Sequence, residues 1–413
     1  MTTASHIDRR VVLAMLLLAY IFNFLDRQLL SILATPIKVD LGLSDTQLGM
    51  LGGVAFAMLY TVLSIPLALL ADRTHRSWVI AGSLAVWSGF TALCGAATGF
   101  WHLFAARVGV GVGEAGGVAP SYALISDYFP LKQRARALAT YSLGAPVGQA
   151  AGLMLGAAIA QALNWRAAFI VIGVAGLVFA PLFKIIVRDP PRPSTGQPVA
   201  GAAAAFRILS GKKSFWLISL GAGMNGMLSY ALAFWLPSIL IRSYGLTLTA
   251  ASYFSGFLVL IGGSAGVVLG GWLADLSGRT DPGFYPKLAG ISWLVSAPLF
   301  VLGFLSPSPS LAWLILVVPQ ALNLVWFGPV ITAVQHLVAP HMRATASACF
   351  LLIANLLGLG AGTWLMGGLS DVMTARFGAE ALRYAAILIA NLALIASVLT
   401  FLSVRPLRRE WVE

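Results

Sequence analysis

Two carboxylates and two guanidiniums are embedded in apolar stretches of this chain: Asp26 and Arg27 in one, Arg107 and Glu114 in another. An ionisable side chain at the centre of a bilayer costs about 2.5–3.5 kcal/mol on insertion scales. Burial and a neighbouring arginine act in opposite directions on a carboxylate's proton affinity, so proton uptake near neutral pH is within reach. Arginine stays charged and presents a planar fork of donors that fits a carboxylate or phosphate. Arg107 and Glu114 are nearly two helical turns apart, which puts them on one face, separated by roughly 10 Å along the axis. Asp26 and Arg27 are consecutive. They diverge by about 100° and cannot pair with each other. Asp26 and Glu114 are therefore candidate proton-coupling residues. Arg27 and Arg107 are candidate partners for those acids and for an anionic headgroup. The competing reading is a static salt-bridge network that sets helix register. Buried pairs often add little net stability, which is a poor reason to keep four charges.

The elements that must position these residues follow from composition. Of 413 residues, 59% are hydrophobic and 10% charged, against about 25% charged in soluble domains. Too few charges remain to cover a water-facing surface. Apolar runs of about 20 residues, the length that crosses a bilayer core, recur at about 11–33, 47–71, 77–98, 101–127, 135–160 and 166–187. A second set lies at about 214–241, 249–274, 285–305, 311–336, 343–370 and 381–403. No small-residue cleavage site follows the first run, so it reads as a retained span. The expected organisation is a bundle over 1–187, a proline-rich and charged linker over 188–213, and a bundle over 214–413.

The net charge of +12 falls mostly in short loops and does not call for nucleic acid. With a cytoplasmic N-terminus, inside segments hold 19 of the 26 Lys and Arg and outside loops hold five. That bias places both termini in the cytoplasm. Cys94 and Cys349 lie in apolar runs as packing residues, and no Cys/His cluster has metal-ligand spacing. No convergent nucleophile and base suggests an enzyme. No cofactor is expected beyond the proton as coupling ion.

The two blocks echo each other. Ala71–Arg76, "ADRTHR", follows the second span, and Gly270–Arg279, "GGWLADLSGR", follows the eighth. Here the chain resembles the major facilitator superfamily over essentially its whole length. Asp72, Arg73 and Arg76 match that family's Gly-x-x-x-Asp-Arg-x-x-Arg loop, with Ala68 in place of the glycine. The second copy keeps Gly271, Asp275 and Arg279, and Gly144–Gly148 is similar to the family's glycine-proline motif. "FNFLDRQLL" (Phe22–Leu30), Gly111–Ala115 with its acid Glu114, "RARA" (Arg134–Ala137) and "NWRAAF" (Asn164–Phe169) resemble Spinster-type transporters most closely. The resemblance implies an all-α membrane protein, with twelve transmembrane helices in two pseudo-symmetric six-helix bundles around a central cavity. The first and fourth spans would then bring Asp26, Arg27, Arg107 and Glu114 into one internally paired cluster. Asp72, Arg73, Arg76 and Asp275 would form a cytoplasmic gate, with the acids against a neighbouring helix N-terminus. For Asp127, Arg134 and Arg136, a gate network and a membrane anchor both stay open.

The second block carries no mid-span acid or base. It offers amides and aromatics, among them Asn225, Asn323 and Trp326, which with Tyr60 are candidate substrate-cavity residues. An amphipathic substrate suits that split. The expectation is a proton-coupled transporter of an amphipathic lipid, lysophospholipid or sphingosine-phosphate-like, working by alternating access. The alternative is transport of small organic anions or drugs. The protein is expected as a monomer among membrane lipids, in a bacterial inner membrane on the evidence of its short loops.

Overall fold

The structure, a computed structural model, describes residues 8–190, 202–277, 281–339 and 342–412. Among them the chain is almost wholly helical, without strands. α1 runs Arg9–Leu41, and its first turn is capped by Asp8, whose carboxylate accepts from the Arg10 amide at 2.9 Å. At 1.5 Å per residue its 33 residues span about 50 Å, more than a bilayer core of about 30 Å. Its far end carries Lys38 and Asp40, and Asp40 pairs with Arg166 at 2.5 Å. Gly42 ends it with φ +62°, a left-handed turn that favours glycine.

The rest of the first block is α2 (Asp45–Gly52), α3 (Val54–Arg73), α4 (Arg76–Cys94), α5 (Phe100–Glu114), α6 (Val118–Tyr128), α7 (Leu131–Ser142), α8 (Gly144–Ala162) and α9 (Trp165–Ile186). The second block is α10 (Ala202–Ser210), α11 (Lys213–Tyr244), α12 (Leu248–Phe257), a π-helical turn at Leu258–Gly263, α13 (Ser264–Ser277), α14 (Phe284–Phe304), α15 (Pro309–Leu324), α16 (Phe327–Gln335), α17 (Arg343–Phe377), α18 (Ala381–Ala390) and α19 (Leu392–Glu410). Several spans are broken in the middle, so these helices string into twelve spans among the described residues. Ten stretches are long and apolar enough to cross a membrane, and the last of them, Thr345–Glu410, holds two spans. The twelfth is α5–α6. Its break at Ala115–Gly117 leaves pieces of 15 and 11 residues, each too short to cross alone.

By their contacts the residues sort into two units. One is drawn from Met1–Leu43, Met50–Ser194 and Thr247–Gly256, the other from Ser44–Gly49, Thr195–Leu246 and Phe257–Glu413. These differ from the expected ranges 1–187 and 214–413 by two short exchanged segments. The first, Ser44–Gly49, is held in the second unit by polar groups. Asp371 accepts from the Asp45 and Thr46 amides at 3.0 and 2.7 Å, capping the start of α2. The Asp45 carboxylate, 2% exposed, accepts from Arg242 at 2.8 Å and from the Ser370 hydroxyl at 2.7 Å. The segment expected as a linker contains α10. The run "AAAAFRIL" is rich in strong helix formers.

In the first unit α1 packs on α8, α4 on α5 and α9, and α3 on α5. Gly144, Gly148, Gly152 and Gly156 recur every fourth residue along α8. A side chain at Gly148 would strike the Ile21 carbonyl, and one at Gly152 the Leu25 backbone. This small-residue stripe lets the two backbones meet. It fixes the turn of α1 that bears Asp26 and Arg27. α5 does the same with Gly111 against the Phe56 carbonyl of α3 and Gly113 against the Trp87 backbone of α4.

In the second unit α11 packs on α17 and α19, and α14 on α15 and α19. Gly226 and Gly358 meet where α11 crosses α17. Glu410, at the end of α19, caps α11: its carboxylate accepts from the Lys213 and Ser214 amides, both at 3.1 Å. In the loop before α14, Asp281 accepts from Arg408 through two bonds of 2.9 and 2.6 Å. That pairing holds the Asp281 carboxyl well below its usual range.

Candidate functional site

The four buried charges gather in the first unit, on α1 and α5. Arg27 donates from Nε to Glu114 Oε2 at 2.7 Å, and Glu114 is fully buried. Glu114 is the last residue of α5, where the helix breaks inside the membrane. The negative end of a helix dipole disfavours a carboxylate there, and the Arg27 charge offsets it. The Arg27 guanidinium is also enclosed by aromatic faces: Phe56 at 4.6 Å, Tyr60 at 5.0 Å and Phe24 at 5.2 Å from the ring centroids. Such contacts are worth about 0.5–2 kcal/mol each, so Glu114 and three aromatic faces together hold Arg27.

Asp26 points elsewhere, as the angle between consecutive helical residues requires. Its Oδ2 accepts from the Thr91 hydroxyl of α4, while Oδ1 is buried with no hydrogen-bond partner. The same Thr91 oxygen lies 2.9 Å from the Trp87 carbonyl. One hydroxyl proton cannot serve both acceptors. A protonated Asp26 can donate to Thr91, whose own proton then turns to Trp87. An ionised Asp26 claims the Thr91 proton. The threonine thus reports the state of the acid through its rotor.

Arg107 stands apart from the pairing expected within the cluster. It is 2% exposed, yet makes no hydrogen bond or ion pair among the described residues, and Nε and Nη1 are buried without partners. Its guanidinium lies 5.6 Å from the Phe56 ring. The cluster is therefore one closed pair, one half-satisfied acid and one unpaired cation. The physical reason is the break after Glu114 and the grip of α8 on α1, which turn Glu114 toward Arg27 rather than back toward its own helix's arginine.

Tyr60 joins this cluster through Arg27. The other candidate cavity residues belong to the second unit. Asn225 and Asn323 are 0% and 1% exposed. Asn225 donates to the Asn323 carbonyl at 3.3 Å, and Asn323 donates to the Ser229 hydroxyl at 2.9 Å. They lock α11 to α15 as well as each offering a free amide oxygen. Trp326, at the α15–α16 break, packs on Trp293 and Phe350 with its indole N–H buried and unpartnered.

Of the gate residues, Arg76 bridges Asp72, at 2.8 Å, and Asp127 of α6. Arg73 is exposed and makes no ion pair among the described residues, so it stands outside that bridge. Arg134 donates to the Ser126 carbonyl at 2.8 Å instead. The Asp275 side chain, with Gly278 and Arg279 after it, lies outside the described residues. Sequence reasoning missed Thr91, Phe24 and Phe56, because apolar runs give no sign of which threonine or phenylalanine faces a charge. It also missed Asp189, which caps α4 by accepting from the Ser77 amide at 3.2 Å.

A helical membrane protein with two units of spans and a charge cluster buried in one of them has the form of a secondary transporter. The model of the Major Facilitator Superfamily matches residues 16–363, and the chain belongs to that superfamily. It is 34% identical over 412 residues to a protein of Mycolicibacterium smegmatis described as an MFS-type efflux pump, covering 99% of this chain and 96% of the relative. It is 28% identical over 385 residues to human protein spinster homolog 1, covering 87% and 73%. The fold matches a crystal structure of a bacterial homolog to the human lysosomal transporter Spinster, in an inward-facing and unoccupied conformation. That match has a TM-score of 0.90 at 28% identity and covers 99% of this chain and all of that one. The chain is thus a Spinster-like transporter, not an enzyme, with twelve spans in two six-helix halves.

Proposed function

We propose that the protein is a proton-coupled secondary transporter of an amphipathic anion, a lysophospholipid or sphingosine-phosphate-like lipid, working by alternating access with both termini in the cytoplasm of a bacterial cell. The observation that carries this reading is the uneven cluster: Glu114 closed on Arg27 beside an unpaired, buried Arg107. A proton on Glu114 removes the charge that holds Arg27. A phosphate or carboxylate headgroup supplies the missing partner of Arg107. Protons and anion thus bias the same set of pairs, and each shifts the conformational equilibrium by its differential affinity for the two states. The apolar and amide character of the second unit, with Trp326, Trp293 and Phe350 side by side, suits an acyl chain better than a sugar.

The test is uptake of a labelled lysophospholipid into proteoliposomes under an imposed pH gradient. Wild type responds to the gradient, whereas Asp26→Asn and Glu114→Gln lose that response by at least tenfold while exchange at equal pH persists. Undiminished coupling in both variants defeats the proposal. The efflux-pump relative favours a second reading, export of small organic anions or drugs through the same site. Competition of a short organic acid against the lysophospholipid separates the two.

A further inference from the structure

A groove of about 800 Å³ runs between α4 and α9, apart from the charge cluster. Its volume lies in the range of small-molecule sites, about 300–1,000 Å³. Trp78, Gly82 and Ala85 share one face of α4 and form one wall; Ile185 lies on the other. Trp78 and Ile185 are 61% and 71% exposed, and a side chain added at Gly82 would meet nothing within 4 Å. The trough is therefore apolar and open, and small residues keep it so. Lys184 and Arg188 stand at its mouth. The Lys184 ammonium lies 5.2 Å from the Trp78 ring centroid, and neither cation has an ion pair among the described residues. The adjacent acid, Asp189, is occupied by the Ser77 amide and hydroxyl. The Arg188 carbonyl accepts from the Tyr128 hydroxyl at 2.6 Å, which fixes the residue where α9 ends.

We propose that this groove binds an anionic phospholipid of the surrounding bilayer, with an acyl chain along the Gly82–Ala85 trough and the phosphate between Lys184 and Arg188. Water leaves an apolar trough unsatisfied and a neutral lipid leaves two cations uncompensated; an anionic lipid answers both. Basic pockets between spans recognise such headgroups, and an indole at the mouth suits the headgroup level. The carbonyls at the end of α9 also attract cations. That attraction calls for charge alone and explains neither the trough nor Trp78. Assignment to the cytoplasmic leaflet rests on the orientation proposed above; the groove does not.

The test is native mass spectrometry of the full-length protein from micelles holding equal amounts of palmitoyl-oleoyl phosphatidylglycerol and phosphatidylcholine. Wild type retains phosphatidylglycerol about tenfold over phosphatidylcholine. Lys184→Gln with Arg188→Gln brings the ratio to about one, and Gly82→Leu, whose Cβ meets nothing within 4 Å and whose branched end occupies the trough, reduces both adducts. Arg166→Gln, which breaks the pair with Asp40, leaves the ratio unchanged. Equal retention in wild type overturns the proposal, as does a preference that survives the double variant. A preference lost in Arg107→Gln instead moves the lipid to the charge cluster and also overturns the groove.

Discussion

Arg107 is the residue whose presence is hardest to explain by stability. An unpaired buried charge carries a desolvation penalty of several kcal/mol, and the Phe56 face at 5.6 Å offsets only part of it. A static network and a ligand site therefore predict opposite outcomes for one substitution. Arg107→Gln is expected to leave thermal stability in detergent unchanged or higher, while anion binding falls at least tenfold, about 1.4 kcal/mol. A drop of several degrees in melting temperature, with binding intact, would point to the static network. Arg107→Lys keeps the charge but not the planar fork, so partial binding is expected. Thr91 belongs to the same scale: a single hydroxyl between Asp26 and the Trp87 carbonyl cannot satisfy both, so its rotor follows the acid.

The helices place these side chains through backbone contact rather than side-chain packing. α1 presents Asp26 and Arg27 away from α8 because Gly148 and Gly152 admit its backbone on the other side. The same substitution therefore has opposite effects at two glycines. At Gly152 a methyl meets the Leu25 backbone and the Gln28 Cβ at 3.0 Å. Gly152→Ala is expected to destabilise by about 1–3 kcal/mol, lowering melting temperature and weakening transport together. At Gly82 nothing lies within 4 Å, so Gly82→Ala is expected to stabilise by about 0.5–1 kcal/mol through helix propensity alone. Parallel thermal unfolding of the two variants checks both signs. Equal shifts would mean that α1 and α8 do not meet through the glycine stripe.

The charge asymmetry of the whole chain sets a prediction of its own. With the cytoplasmic N-terminus proposed above, inside segments hold 19 Lys and Arg against five outside, the bias that the positive-inside rule expects. A fluorescent protein fused after Glu413 is expected to be bright in the cytoplasm, and an alkaline phosphatase inserted beside Arg166 to be active outside the inner membrane. The reverse pattern inverts the orientation and moves the groove at Lys184 and Arg188 to the other leaflet. The polar chemistry is also divided: ionisable groups are buried in the first unit, whereas Asn225, Asn323 and Trp326 are buried in the second.

The number of spans, the two halves, the family and the identity of the four buried charges are all legible in the chain itself. Each depends on local quantities: run length, loop charge and short motifs. An Asp or Arg inside an apolar run is visible without knowing its neighbours. Pairing is not, because it depends on how each helix is rotated and where it breaks. Only the fold shows that Glu114 closes on Arg27, that Asp26 turns to Thr91 and that Arg107 is left without a partner. The break after Glu114, the glycine stripe of α8 and the aromatic enclosure of Arg27 decide this. So do the exchange of Ser44–Gly49 into the second unit and the replacement of Arg73 by Asp127 at the Arg76 bridge. Those contacts join residues far apart in sequence, and the apolar stretches that carry them look alike until they are packed.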